Sequence, residues 1–169
     1  MTVIVADAQT REEIDVVERH WHNSNLCWGD DGANGFEDRG LTPWQLTAAA
    51  PGDTFGAEIQ IYSGQYGANA FLDLNTMFVT SSQRNDETYL VEFWAGSGLF
   101  AAATRVTSHY YRTGGAATEV VPEVARSPRV LGSLNIWART KCTNVGDSTI
   151  DFLLEGHIYP PPNGDEITS

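Results

Sequence analysis

From Thr54 onward the chain alternates apolar and polar positions with the period of two that a sheet buried on one face requires. The pattern predicts a strand over 54–63 built around Phe55, Ala57, Ile59 and Ile61, and another over 69–80 with Leu72, Leu74, Thr76 and Phe78 on one face. A third follows over 87–95 through Tyr89, Val91 and Phe93, and a β-branched, aromatic fourth over 104–112. The segment 117–124 carries Val120 and Val121 but is broken by Pro122, which donates no N–H, so it reads as an edge strand. Gly114-Gly115 before it suits a hairpin turn. Two long strands close the pattern, one on each side of a tight turn at Gly146-Asp147. In the last of them Ile150, Phe152, Leu154 and Ile158 share one face, and Asp151, Glu155, His157 and Tyr159 the other. Pro160-Pro161-Pro162 cannot continue a ladder, and a polar tail over 160–169 follows.

The first 53 residues follow a different rule. Residues 1–9 read as an extended arm, and Thr10-Arg11-Glu12-Glu13 fits a capping box. Helical spacing then places Ile14, Val17 and Trp21 on one side of a helix over 11–22, which Asn23-Ser24-Asn25 ends. Residues 26–53 scatter Leu26, Trp28, Phe36, Leu41, Trp44 and Leu46 without a clean period among Gly, Asp, Asn and Pro. A loop that long inside a compact domain is usually functional or an arm laid on another surface. The expected architecture is therefore all-β: an antiparallel β-sandwich or jelly roll of about seven or eight strands over 54–159, preceded by an N-terminal arm over 1–53 that carries one short helix.

At 169 residues, 41% hydrophobic and 19% charged, the chain is long enough and apolar enough for one folded domain. Its 22 acidic against 10 basic residues give a net charge of −12. That balance opposes unassisted binding to a phosphate backbone or an anionic membrane and favours solubility at high copy number. Cys27 and Cys142 are far apart and belong to no paired-cysteine motif, so they read as two reduced thiols. The first residues lack a basic, then apolar, leader pattern, and no window is apolar enough to span a bilayer; synthesis in the cytoplasm is expected.

Candidate chemistry is sparse. His20 and His22 sit two apart on the predicted helix, where side chains diverge by about 200° and cannot share one ion. Asp30, Asp31, Asn34, Glu37 and Asp38, set around two glycines, form the best oxygen-ligand cluster for calcium. An EF-hand reading of it fails, because Gly32 and Leu41 stand where ligands are needed, and an acidic solvated loop explains the same residues. The carboxylate pairs Asp73 with Glu92 and Asp151 with Glu155 are the possible acid–base partners. Ala95-Gly96-Ser97-Gly98 lacks a nucleophile elbow, and no phosphate-binding or dinucleotide motif is present. Trp28, Trp44, Trp94, Trp137, Tyr110, Tyr111 and Tyr159 are many for this length; such residues serve first in cores, next in interfaces and last in sugar-stacking platforms.

The stretches Thr88-Tyr89-Leu90-Val91-Glu92-Phe93-Trp94-Ala95-Gly96-Ser97-Gly98, Asn135-Ile136-Trp137-Ala138-Arg139 and Asp147 to Tyr159 resemble the C-terminal part of small tailed-bacteriophage virion proteins. The likeness spans roughly 87–159 and carries no enzymatic signature. It implies a capsid decoration (cement) protein on the exterior of the virion, with no cofactor. The major capsid protein would be its partner, and a homotrimer is expected by analogy with threefold positions in shells. In that reading Ile14, Val17, Trp21, Trp28, Phe36 and Trp44 of the arm are the interface candidates, and the sandwich faces outward. Two rivals stand beside it: a carbohydrate- or receptor-binding module of a tail or head fibre, and a small cupin-like metalloenzyme.

Overall fold

The computed structural model describes residues 26–30, 36–38, 42–114, 121–124, 126–144 and 146–159. Eleven strands run in chain order: β1 (Leu26–Asp30), β2 (Phe36–Asp38), β3 (Trp44–Thr47), β4 (Ile59–Ser63), β5 (Phe71–Ser82), β6 (Thr88–Gly96), β7 (Thr104–Arg112), β8 (Val121–Val124), β9 (Val130–Leu131), β10 (Asn135–Cys142) and β11 (Thr149–Tyr159). A 3₁₀ turn, Phe100–Ala102, lies between β6 and β7. All pairings are antiparallel. One sheet has seven strands in the order β2-β1-β11-β5-β8, with β3 also beside β11 and β9 also beside β5; the other has four in the order β4-β10-β6-β7. The fold is an antiparallel β-sandwich.

The two inner faces supply the core. Leu72, Leu74, Met77 and Val79 of β5 and Ile150, Phe152 and Leu154 of β11 meet Tyr89, Val91 and Phe93 of β6 and Ile136 and Ala138 of β10, all essentially without solvent exposure. The Phe93 and Phe152 rings join the sheets edge to face at 5.9 Å. Cys142 is a free, buried thiol in this core.

The strands over 87–95, 104–112 and 149–159 fall within a residue of the alternation, and β8 with its Pro122 stands at the end of the sheet order. Four expectations change. Residues 26–53 do not form one long loop: β1 and β3 both pair with β11, and β2 pairs with β1. The sandwich therefore begins well before Thr54. These strands have only three to five residues each, too few to show a period between Gly and Asp breaks. Second, the face of β5 changes phase. The register shifts between Glu155 and Gly156 of β11, leaving Asn75 as the extra residue, so Met77 and Val79, not Thr76 and Phe78, continue the inward row of Leu72 and Leu74. Third, regular pairing in β4 begins only at Ile59, and Phe55 lies outside it. Fourth, neither predicted turn makes a hairpin. The strands flanking Gly114-Gly115, β7 and β8, lie in different sheets, and so do β10 and β11. Gly146 lets the second crossing pass close to the β3–β4 segment, since a Cβ there would lie 2.3 Å from Ala50 Cα. The predicted helix over 11–22, with Ile14, Val17 and Trp21, lies outside the described residues, as does the tail from Pro160.

Candidate functional site

Alternation along β6 and β10 sends Glu92 and Trp94, and Trp137, Arg139 and Lys141, to the outer face of the four-stranded sheet. Register places Trp137 opposite Trp94 and Arg139 opposite Glu92. The Glu92 side chain is 4% exposed, and its carboxylate is held from every side. It accepts from Arg139 Nε at 2.9 Å and Nη2 at 2.8 Å, from Arg105 Nη1 at 2.9 Å, and from the Trp94 indole at 3.2 Å. Arg105 reaches it because β7 shifts register opposite Phe93 and Trp94, with Val106 as the extra residue. Burial pushes the Glu92 carboxyl up, but the bonds from Arg105 and Arg139, the Arg139 charge and the indole bond outweigh it and hold the group below the usual carboxylate range.

Rings roof this ion cluster. The Arg139 guanidinium lies 4.1 Å from the Phe55 ring centre, 4.8 Å from Trp94 and 5.3 Å from Phe100. Phe55 is brought there by a segment that bonds to the end of β10: Asp53 N–H donates to Cys142 O and Gly56 N–H to Thr140 O. Gly56 is required at that crossing, because a Cβ would fall 1.7 Å from Thr47 O. Lys141 pairs with Asp53 at 2.6 Å beside the same ring.

Next to the cluster is an open depression of about 610 Å³, bordered by Glu58, Gln60, Leu99, Phe100, Asn135 and Trp137. Phe100 meets Trp137 at 69° with centroids 6.3 Å apart, and Trp94 at 64° and 5.3 Å, so the rings form a corner. Leu99 on the rim is 82% exposed.

A second polar group occupies the outer face of the seven-stranded sheet. Asp73 Oδ1 lies 2.8 Å from His157 Nδ1, and Tyr159 O–H donates to Asp73 Oδ2 at 2.8 Å. The Arg129 guanidinium stacks 3.7 Å from the Tyr159 ring centre. Burial first, and then the bond to Asp73, push the Tyr159 hydroxyl up.

The residues singled out in the sequence are dispersed by this geometry. Asp73 and Glu92 belong to different sheets, so they are no acid–base pair. Asp151 and Glu155 stand four residues apart on one strand, roughly 13 Å by strand rise, beyond the separation at which two carboxyls flank one bond. Of the calcium candidates, Asp30 ends β1 and Glu37 and Asp38 lie on the paired β2, whereas Asp31 and Asn34 lie outside the described residues. Among the described residues no group of three or more His, Cys, Asp and Glu side chains is placed to hold a metal. Trp28 and Phe36 lie on β1 and β2. Trp44 is 2% exposed and packs on Phe152 at 5.6 Å, so it is a core residue and not a surface for a partner. Glu58, Gln60, Leu99 and Asn135 carried no signal of their own in the sequence; Trp137 and the Gly96-Ser97-Gly98 break beside them were the only pointers.

No helix among the described residues is long and apolar enough to cross a membrane. No protein-family model matches this chain, and no curated protein matches it as a relative.

Proposed function

We propose that this chain is a non-catalytic virion component, a decoration protein that binds the outside of a bacteriophage head shell and stabilises it, with the major capsid protein as partner and self-association through symmetric contacts. The reading rests on the resemblance over 87–159, and one observation supports it. The residues that carry the likeness, Trp94, Glu92, Trp137 and Arg139, are cross-strand partners that lock one sheet's outer face. Their carboxylate and guanidinium groups are bound to each other and so hold a scaffold together. A stiff, acidic sandwich of this kind suits a protein crowded on a lattice, where net charge keeps free copies apart.

The test is the copy number of this chain in purified particles from its source, measured against the main shell protein. A count comparable with the shell protein supports decoration of the lattice. A handful of copies moves the protein to a vertex or the tail, and absence from particles overturns the virion reading.

A further inference from the structure

We propose that the depression over β10 is a carbohydrate site that takes a neutral pyranose ring. At about 610 Å³ it has the size of a small-molecule pocket, and its aromatic wall is Phe100, backed by Trp137, which is only 6% exposed. The C–H face of a sugar ring presents weakly positive hydrogens that suit the negative face of an aromatic ring. Leu99 extends the apolar wall at the rim, where an exposed leucine otherwise costs hydration.

The polar border has the complementary chemistry. Glu58 offers only acceptors, and Gln60 and Asn135 each offer both donors and an acceptor. Both amides are tethered through their nitrogens, Gln60 Nε2 to Tyr62 O at 3.3 Å and Asn135 Nδ2 to Gly98 O at 3.4 Å, which orients their oxygens. Hydroxyl groups, each donor and acceptor at once, match such a set. A register shift in β4 makes this border: Ile136 pairs with Tyr62 but Trp137 with Gln60, so Ile61 is the extra residue. Ile61 is fully buried, and Gln60 stands beside Trp137 on the outer side.

Two features narrow the ligand to a neutral one. Arg139 already places a guanidinium 5.3 Å from the Phe100 ring, which repels a second cation from that wall. Glu58 and the net charge of −12 repel anions. The Glu92 cluster beneath fixes the rings before any ligand arrives, which lowers the ordering cost of binding. The proposal stands on this geometry and is independent of the virion reading, because particle counts and sugar binding can fail separately.

The experiment uses the full chain on an array of neutral glycans. Each glycan bound is then titrated by NMR, following the Trp137 indole N–H and the Gln60 and Asn135 side-chain amides. Binding that shifts these signals, and weakens about tenfold or more in the double variant Glu58→Ala, Asn135→Ala, supports the site. Both residues border solvent, and an unchanged melting temperature shows that the variant still folds. No glycan bound, or binding that the double variant leaves intact, overturns it. Shifts produced by tetramethylammonium and by no glycan overturn it in favour of a cation site.

Discussion

On the four-stranded sheet a carboxylate is gripped by two guanidinium groups and an indole; on the seven-stranded sheet another is gripped by an imidazole and a phenol. Both carboxylates sit on the outer face of an inner strand, Glu92 on β6 and Asp73 on β5. Their surroundings differ. Glu92 is nearly sealed and its partners carry permanent charge, so the cluster keeps one electrostatic state across the neutral range. Asp73 is 17% exposed, and its imidazole partner is charged only when protonated. Desolvation in the first arrangement falls on the carboxylate, with Arg105 and Arg139 keeping 55% and 23% of their exposure: intact, it anchors three strands, and without the two arginines it would strand the Glu92 charge. The second, nearer to water, tolerates the loss of a member.

Removing Glu92 tests the contrast hardest. Glu92→Ala leaves Arg139, 23% exposed, without its carboxylate and is expected to cost about 2–3 kcal/mol in urea unfolding, below the cost of a fully buried pair. A cost under about 1 kcal/mol would show that the cluster is solvated and the contrast false. Acid should reach the same group. The folded pKa of Glu92 is lowered from its ordinary 4.5, so its contribution is complete above that value and is lost as pH falls below it. Melting curves from about pH 7 to about pH 3 should drop more steeply for the natural protein than for Glu92→Gln.

Gly56→Ala attacks the roof and spares the ions. The Cβ forced against Thr47 O must displace the segment that carries Phe55, at about 2 kcal/mol, and the Phe55 ring should leave Arg139, visible as a loss of ring-current shift on the Arg139 side-chain protons. Asp73→Asn on the other face should cost only about 1 kcal/mol, since it weakens two partly solvated bonds. If it costs as much as Glu92→Ala, the two faces are equivalent after all.

How far the sequence disclosed this depends on strand length. β6 and β11 have nine and eleven residues, enough for the period of two to declare both their limits and their buried faces, whereas the nine-residue β7, mostly exposed, declared only its limits. The short β1, β2, β3 and β9 exist because a longer strand offers them an edge, which is a tertiary cause that leaves no local period. Bulges hid the rest. An extra residue at Asn75 reverses the inward row of β5, and one at Ile61 puts Gln60 beside Trp137; neither position is marked by Gly or Pro. The depression is therefore invisible in sequence although Trp137 is not. Glu92 looked like any acidic residue on a strand, because its two arginines come from 13 and 47 positions away.

The placement of β11 governs when this fold can form. It follows every other described strand, yet it lies inside its sheet, with β1 and β3 along one edge and β5 along the other. During synthesis β3 emerges with no strand to pair with, β1 has only the short β2 and β5 only the short β8 and β9, and Trp44 and Leu46 have no Phe152 or Ile150 to pack on. Assembly must then close loops of about 100 residues to β3 and about 130 to β1, which makes folding slow and late. Until residue 159 has been made, the seven-stranded sheet lacks its inner strand, and its open edges rely on dilution, charge repulsion or chaperones to stay apart.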